Sequence, residues 1–328
     1  MIAITGANGL LGSRMAGWLA DAGIAFYGIK RAQSDTSLTG TLPMEWREAD
    51  LLDVGALQDA LNGATTVIHT AALVSFRSRD RDRLFRTNVE GTRNVVNACL
   101  GMGIKRMVHV SSVAALGRHK GAKNINENHK WVESKLNSDY AESKYLAELE
   151  VFRGREEGLG IDMVNPSVIL SGADWDKSSA QLFKYVWENK PFYTEGSINY
   201  VDARDVAEMI GRMLGHEASG ERYIANGGVV PLKSILTQIA ARFNKKTPWI
   251  KVPKPLITAT AWVESARSLL TGSDPIVTPQ SARGASAHFF YDNEKAIKKL
   301  GMQFRPLEET LEWCCSHYLQ NGTTNNRN

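Results

Sequence analysis

Apolar positions along the first two-thirds of the chain follow two alternating rhythms. Met1-Ile2-Ala3-Ile4 is a short apolar run, and Ser13 to Leu19 then shows helical periodicity. Ala25-Phe26-Tyr27-Gly28-Ile29 reads as a second strand ending at Lys30-Arg31, Val54 to Leu61 as a helix, and Thr65 to Ala72 as another strand. A long helix containing Asn88 to Val96 follows. Then come the strand Arg106 to Ser112, the helix Tyr140 to Glu157 and the strand Ile161 to Pro166. Strands separated by helices predict parallel βαβ units with right-handed crossovers. The expected fold class is α/β, a doubly wound parallel sheet that binds ligands beyond the carboxyl ends of its strands.

Past residue 171 the alternation weakens, and prolines and aromatics such as Trp175, Trp187, Pro191, Phe192, Pro248 and Trp249 accumulate. Tyr200 to Leu214 and Arg222 to Asn226 still read as a sheet helix and strand. This divides the chain into a sheet domain (1–170 and 198–226) and a smaller mixed α/β lobe (171–197 and 227–320). The polar residues 321–328 form an expected flexible tail.

Composition narrows the class. A 43% hydrophobic and 23% charged chain of 328 residues is an ordinary globular protein. The net charge of +4, with no basic block, gives no support to a nucleic-acid partner. No apolar run reaches the roughly 18–20 residues of a membrane span. Cys314 and Cys315 are adjacent and Cys99 stands alone, which is neither a disulfide framework nor a zinc spacing. With a strand at the very start, no signal peptide is expected, and the location read from these features is cytoplasmic.

The chemistry begins at Gly6, Gly9 and Gly12, which lie between the first strand and the first helix. Glycines allow a sharp turn and a close backbone approach, and helix N-terminal N–H groups complement a pyrophosphate. The alternative is an ordinary tight βα turn. Lys30 and Arg31 end the second strand, where NAD enzymes carry a carboxylate for the ribose hydroxyls; two cations there favour a 2′-phosphate, hence NADP(H).

Tyr140 and Lys144 are one helical turn apart. A phenol with a reference pKa of about 10 gains as a proton donor from a neighbouring ammonium, which favours its ionised form. The alternative is a solvated helix pair. Tyr291 and Lys295 repeat the spacing far downstream, and there the surface reading is favoured. Ser112 ends a strand at the carboxyl edge, placed to hold a substrate oxygen or merely to cap a turn. The arginines at 77, 79, 81, 83 and 86, interleaved with Asp80 and Asp82, read as a self-neutralising solvated helix start. His216-Glu217 lacks the second histidine of a zinc motif, and no metal is expected.

Together these residues carry a family resemblance. Thr5-Gly6-x-x-Gly9-x-x-Gly12, Asp50-Leu51, His69-Thr70-Ala71-Ala72, Asn88-Val89-Glu90-Gly91-Thr92, Ser111-Ser112, Tyr140-x-x-x-Lys144 and Asn165-Pro166-Ser167 stand in the order of the extended short-chain dehydrogenase/reductases. The resemblance covers about residues 1–226 closely and continues loosely to Trp313. Within the superfamily the chain looks most like the dihydroflavonol-reductase and hydroxysteroid-dehydrogenase branch. The resemblance implies a Rossmann sheet, Tyr140 as general acid/base, Lys144 on the nicotinamide ribose and Ser112 on the substrate oxygen. It further implies cofactor contacts at Gly6, Asn8, Gly9, Leu10, Leu11, Gly12, Asp50, Leu51, Ala71, Ala72, Asn88, Pro166 and Val168, beside Lys30 and Arg31. Asn88 is also implied as support for a proton-relay water, and a homodimer is implied through helices of the 83–100 and 140–157 type. Sugar epimerases of this superfamily commonly carry an arginine where this chain has Asn165.

The function expected is an NADP(H)-dependent oxidoreductase, NAD being the other possible cofactor, that interconverts a carbonyl and a secondary alcohol of a small, partly apolar substrate. Trp175, Phe183 and Trp187 read either as an apolar wall over that substrate or as core. The alternatives are an NAD-dependent sugar epimerase/dehydratase and a non-catalytic dinucleotide sensor, against which the intact Ser112, Tyr140 and Lys144 set argues.

Overall fold

A computed structural model describes residues 1–119, 121–175, 179–253, 255–257 and 288–322; the expected tail beyond 322 lies outside them. The chain runs β1 (Ile2–Thr5), α1 (Leu10–Asp21), β2 (Phe26–Lys30), β3 (Glu45–Glu48), α2 (Val54–Leu61), β4 (Thr66–His69) and α3 (Arg81–Phe85). A π-helical turn (Arg86–Glu90) joins α3 to α4 (Gly91–Gly101), followed by β5 (Arg106–Val110), β6 (Asn124–Ile125), α5 (Asp139–Glu156) and β7 (Gly160–Pro166). After these come β8 (Val168–Leu170), α6 (Ala180–Trp187), β9 (Phe192–Tyr193), β10 (Ser197–Asp202), α7 (Ala203–Leu214), β11 (Arg222–Ala225) and β12 (Gly228–Pro231). The remaining described elements are α8 (Leu232–Phe243), β13 (Ile250–Lys251), β14 (Phe290–Tyr291), α9 (Glu294–Leu300) and α10 (Leu307–Gly322).

Seven strands form one parallel sheet in the order β11-β7-β5-β4-β1-β2-β3. Its inner strands are buried on both faces: all of β7 after Gly160 is buried, and all of β5 after Arg106. That is what a sheet covered on both sides by helices requires. Met15 and Leu19 of α1 pack with Met209 and Ile210 of α7 on one face; Leu57 of α2, Val95 of α4 and Val151 of α5 fill the other. The strand order reverses between β1 and β4, so the ligand crevice expected of such a sheet opens beyond Thr5 and His69.

A second, three-stranded sheet (β12-β10-β8) packs with α6, α8 and α10 around an aromatic core. Three local expectations need correction. β3, with the sequence Glu-Trp-Arg-Glu, was not anticipated, because an exposed edge strand carries too few apolar residues to announce itself. Tyr200 to Asp202 belong to a strand, with the helix starting only at Ala203 behind the Asp202 cap. The C-terminal helix continues through Gln320 to Gly322.

Candidate active site

The glycine turn is built by close contact. Gly6 has φ +70, and a Cβ there would stand 2.7 Å from Ala71 Cα. A Cβ on Gly12 would stand 2.2 Å from the Gly6 carbonyl oxygen. Larger residues at either place would push the turn apart. Gly9 is the N-cap of α1 and offers no side-chain cap; the Ser13 N–H is the first to return a bond, to the Gly9 carbonyl at 2.9 Å. The opening N–H groups of α1 therefore face the crevice as a donor set for an anion, which fits a dinucleotide pyrophosphate. Leu11 contributes only backbone here, its side chain lying in the core, and Leu10 is partly buried. Asn8 ties the turn to the loop after β2, its Nδ2 donating to the Asp35 carbonyl at 3.0 Å.

At the end of β2 the two expected cations part company. Lys30 Nζ reaches Glu48 Oε1 at 2.6 Å across the register pair joining β2 to β3. Its charge is thus already met by a carboxylate, which corrects the expectation of two cations acting together on a phosphate. Arg31 is exposed and carries no ion pair among the described residues. Asp50 Oδ1 accepts the Leu52 N–H at 2.9 Å, and Leu51 is buried in the second core against Gly91. Pro166 closes β7 and Val168 opens β8 at the same carboxyl edge, where Val168 is exposed.

Ser138 caps α5 by accepting the Ala141 N–H at 3.1 Å, which starts the helix so that Tyr140 falls in its first turn and Lys144 one turn on. Ser112 lies just past β5 and caps a short 3₁₀ turn (Val113–Leu116), with its Oγ accepting the Ala114 N–H at 3.1 Å. The same hydroxyl that caps this turn also faces the Tyr140 phenol. Burial pushes the Tyr140 phenol above its ordinary value of 10, and the Ser112 hydroxyl pulls it back down. Lys144 follows Tyr140 one turn along α5. Its side chain is buried and turns back, Nζ donating to the Val110 carbonyl at 2.9 Å. Burial brings Lys144 down to about 8, against the opposing pull of Glu148.

Beneath this set runs a polar layer whose contacts sequence reasoning missed, although His69 and Asn165 stand in the quoted motifs. His69 of β4 and His109 of β5 are register partners with rings 5.2 Å apart and stacked, both wholly buried. His69 shares hydrogen bonds with Thr5 Oγ1 at 2.6 Å and Thr92 Oγ1 at 3.1 Å. Burial, with the Lys144 charge nearby, holds His69 down at about 3 and His109 well below its ordinary value. Glu148 is also buried, accepting from Asn165 Nδ2 at 2.5 Å and from Arg222 Nη1 at 3.0 Å. Asn165 donates as well to the Ser112 carbonyl at 3.0 Å. The one available signal was Glu148, a further turn along the helix from Lys144; Arg222 lies too far along the chain to be paired by spacing.

Asn88 lies in the π-helical turn, and both amide hydrogens are committed: Nδ2 donates to the Leu73 carbonyl and to Ser143 Oγ, each at 2.9 Å. Its Oδ1 accepts the Leu73 N–H at 2.7 Å. The side chain that the resemblance placed beside the cofactor or a relay water here holds the loop after β4.

One further expectation is corrected, and one pair of alternatives is decided. Tyr291 is buried, not on the surface, and its hydroxyl accepts from Arg118 Nε at 2.7 Å. Phe183 is fully buried; Trp175 and Trp187 pack around it with Phe243 and Tyr318, so the core alternative holds. The arginine-rich stretch behaves as expected, with Arg77 paired to Asp80 at 2.6 Å. Among the described residues no helix is long and apolar enough to cross a membrane, and no cluster of three metal-binding side chains occurs.

Comparison with known proteins gives the same grouping. The sequence profile of the NAD dependent epimerase/dehydratase family matches residues 2–226. A Synechocystis sp. protein named as a candidate dihydroflavonol 4-reductase is 30% identical, covering 97% of this chain and 94% of its own. The crystal structure of gox2253 superposes with a TM-score of 0.84 at 30% identity, covering 98% of both chains. Thermus thermophilus UDP-glucose 4-epimerase, solved with NAD, shares the fold at 19% identity, with a TM-score of 0.77 over 98% of this chain and 99% of its own.

Proposed function

The chain belongs to the NAD dependent epimerase/dehydratase family, the extended short-chain dehydrogenase/reductases, and is an NAD(P)-dependent oxidoreductase; from that premise we propose that it reduces the carbonyl of a small, partly apolar compound to a secondary alcohol, with NADPH as the preferred cofactor. The observation that carries this reading is the Tyr140 phenol facing the Ser112 hydroxyl at the sheet's carboxyl edge, with a buried ammonium one turn below. A bound nicotinamide supplies the hydride to the carbonyl carbon. Ser112 and Tyr140 meet the carbonyl oxygen from the protein side, and the tyrosine gives it a proton as negative charge develops. A phenol raised by burial stays protonated at neutral pH, the form a reduction needs.

Arg31, exposed at the end of β2, is the cation that favours NADPH. The epimerase alternative loses ground to Asn165, which stands where sugar epimerases of the superfamily commonly have an arginine. Tyr140→Phe tests the reading: turnover of a carbonyl substrate should fall at least about a hundredfold while NADPH still binds. Turnover near wild type would assign the proton elsewhere and overturn it.

A further inference from the structure

In the loop between β4 and the 3₁₀ turn Ser78–Asp80, burial alternates residue by residue from 72 to 77, and the loop is anchored on one side only. Leu73 is clamped by both its N–H and its carbonyl to the Asn88 amide, at 2.7 and 2.9 Å. Ser75 is buried, its Oγ donating to Asp80 Oδ2 at 2.6 Å. Arg77 donates its N–H to Ser75 Oγ at 3.2 Å and its Nε to Asp80 Oδ2 at 2.6 Å. Odd positions thus face inward and are tied down. Even positions face outward and are apolar: Ala72 is exposed, Val74 is 50% exposed and Phe76 is 41% exposed.

Exposing two large apolar side chains costs hydration free energy unless something covers them, and here the backbone is fastened so that they stay out. Their position is defined by the Phe76 ring, which meets the Tyr140 ring edge to face, with centroids 5.9 Å apart and planes at 68°. A molecule whose carbonyl oxygen reaches the Tyr140 hydroxyl lies beside that ring. These outward side chains offer it carbon surface and no hydrogen-bond donor, which suits an apolar ring far better than a sugar pyrophosphate.

We propose that Val74 and Phe76 form the specificity wall of the site and select carbonyl compounds bearing an aromatic or alicyclic ring next to the reacting carbon. The proposal rests on the carbonyl-reduction reading, and it moves the substrate wall from the buried Phe183 cluster to the β4 loop.

The test compares kcat/KM with NADPH for ketones paired by shape, acetophenone against butanone and cyclohexyl methyl ketone against hexan-2-one. Wild type should prefer the ring member of each pair, and in Phe76→Ala the ring-to-chain ratio should fall about tenfold, the usual scale for an aromatic contact plus lost apolar area. Phe76→Leu, which keeps apolar bulk, should fall between them and provides the measurement if the alanine variant folds poorly. An unchanged ratio overturns the proposal. So does an equal loss on every compound, which would make Phe76 a support for Tyr140 only. If wild type oxidises NADPH with no carbonyl compound, the reduction reading itself fails and takes the wall with it.

Discussion

Arg31 and Lys30 show how little a side chain's identity says before its neighbours are known. Both are cations at the end of β2, but the Glu48 carboxylate 2.6 Å from Lys30 neutralises one and leaves the other. A charge-assisted bond is worth about 1.5–3 kcal/mol, so Arg31→Ala should weaken NADPH about tenfold or more and leave NADH nearly unchanged. Lys30→Ala should leave the NADPH-to-NADH ratio close to wild type, because its charge is already spent. Titration calorimetry of both variants with both cofactors checks this; equal weakening of NADH and NADPH in Arg31→Ala would show that the arginine does not read the phosphate. Lys144 makes a similar point. Helical spacing puts it one turn from Tyr140, and its Nζ donates to the Val110 carbonyl, a contact no spacing rule contains.

Among the elements, periodicity made the parallel strands and long helices legible: β1, α1, α2, β4, α5 and β7 lie within a few residues of their expected bounds. β3 was hidden because it is polar and short. The His69–His109 stack was hidden because it exists only once β4 and β5 are in register. That stack predicts a pH dependence of stability. Both histidines are neutral when folded, with His69 held at about 3 against an ordinary 6.5, so the unfolded chain binds more protons throughout that interval. Stability should therefore be full above pH 6.5 and decline as pH falls towards about 3. Denaturant midpoints across this range should show a shallower acid limb for His109→Leu than for wild type; parallel limbs would mean other groups govern acid unfolding.

At the scale of the molecule, two cores flank the parallel sheet and a third, aromatic core lies under the smaller one. Sequence reasoning found the aromatics of the third core without its inside and outside, since Trp175, Phe183 and Trp187 meet Phe243 and Tyr318 from distant helices. Phe183→Ala should cost about 3–5 kcal/mol in chemical unfolding while leaving the substrate KM of the folded enzyme unchanged. A raised KM with stability preserved would return that ring to the substrate site. The central claim, net reduction of a carbonyl at Tyr140 and Ser112, is tested most directly by following deuterium from NADPH labelled at the transferring C4 position. One deuterium should appear on the carbinol carbon of the product for each NADPH consumed. An isomerised product formed with no label and no net cofactor consumption would contradict it and make the enzyme an epimerase.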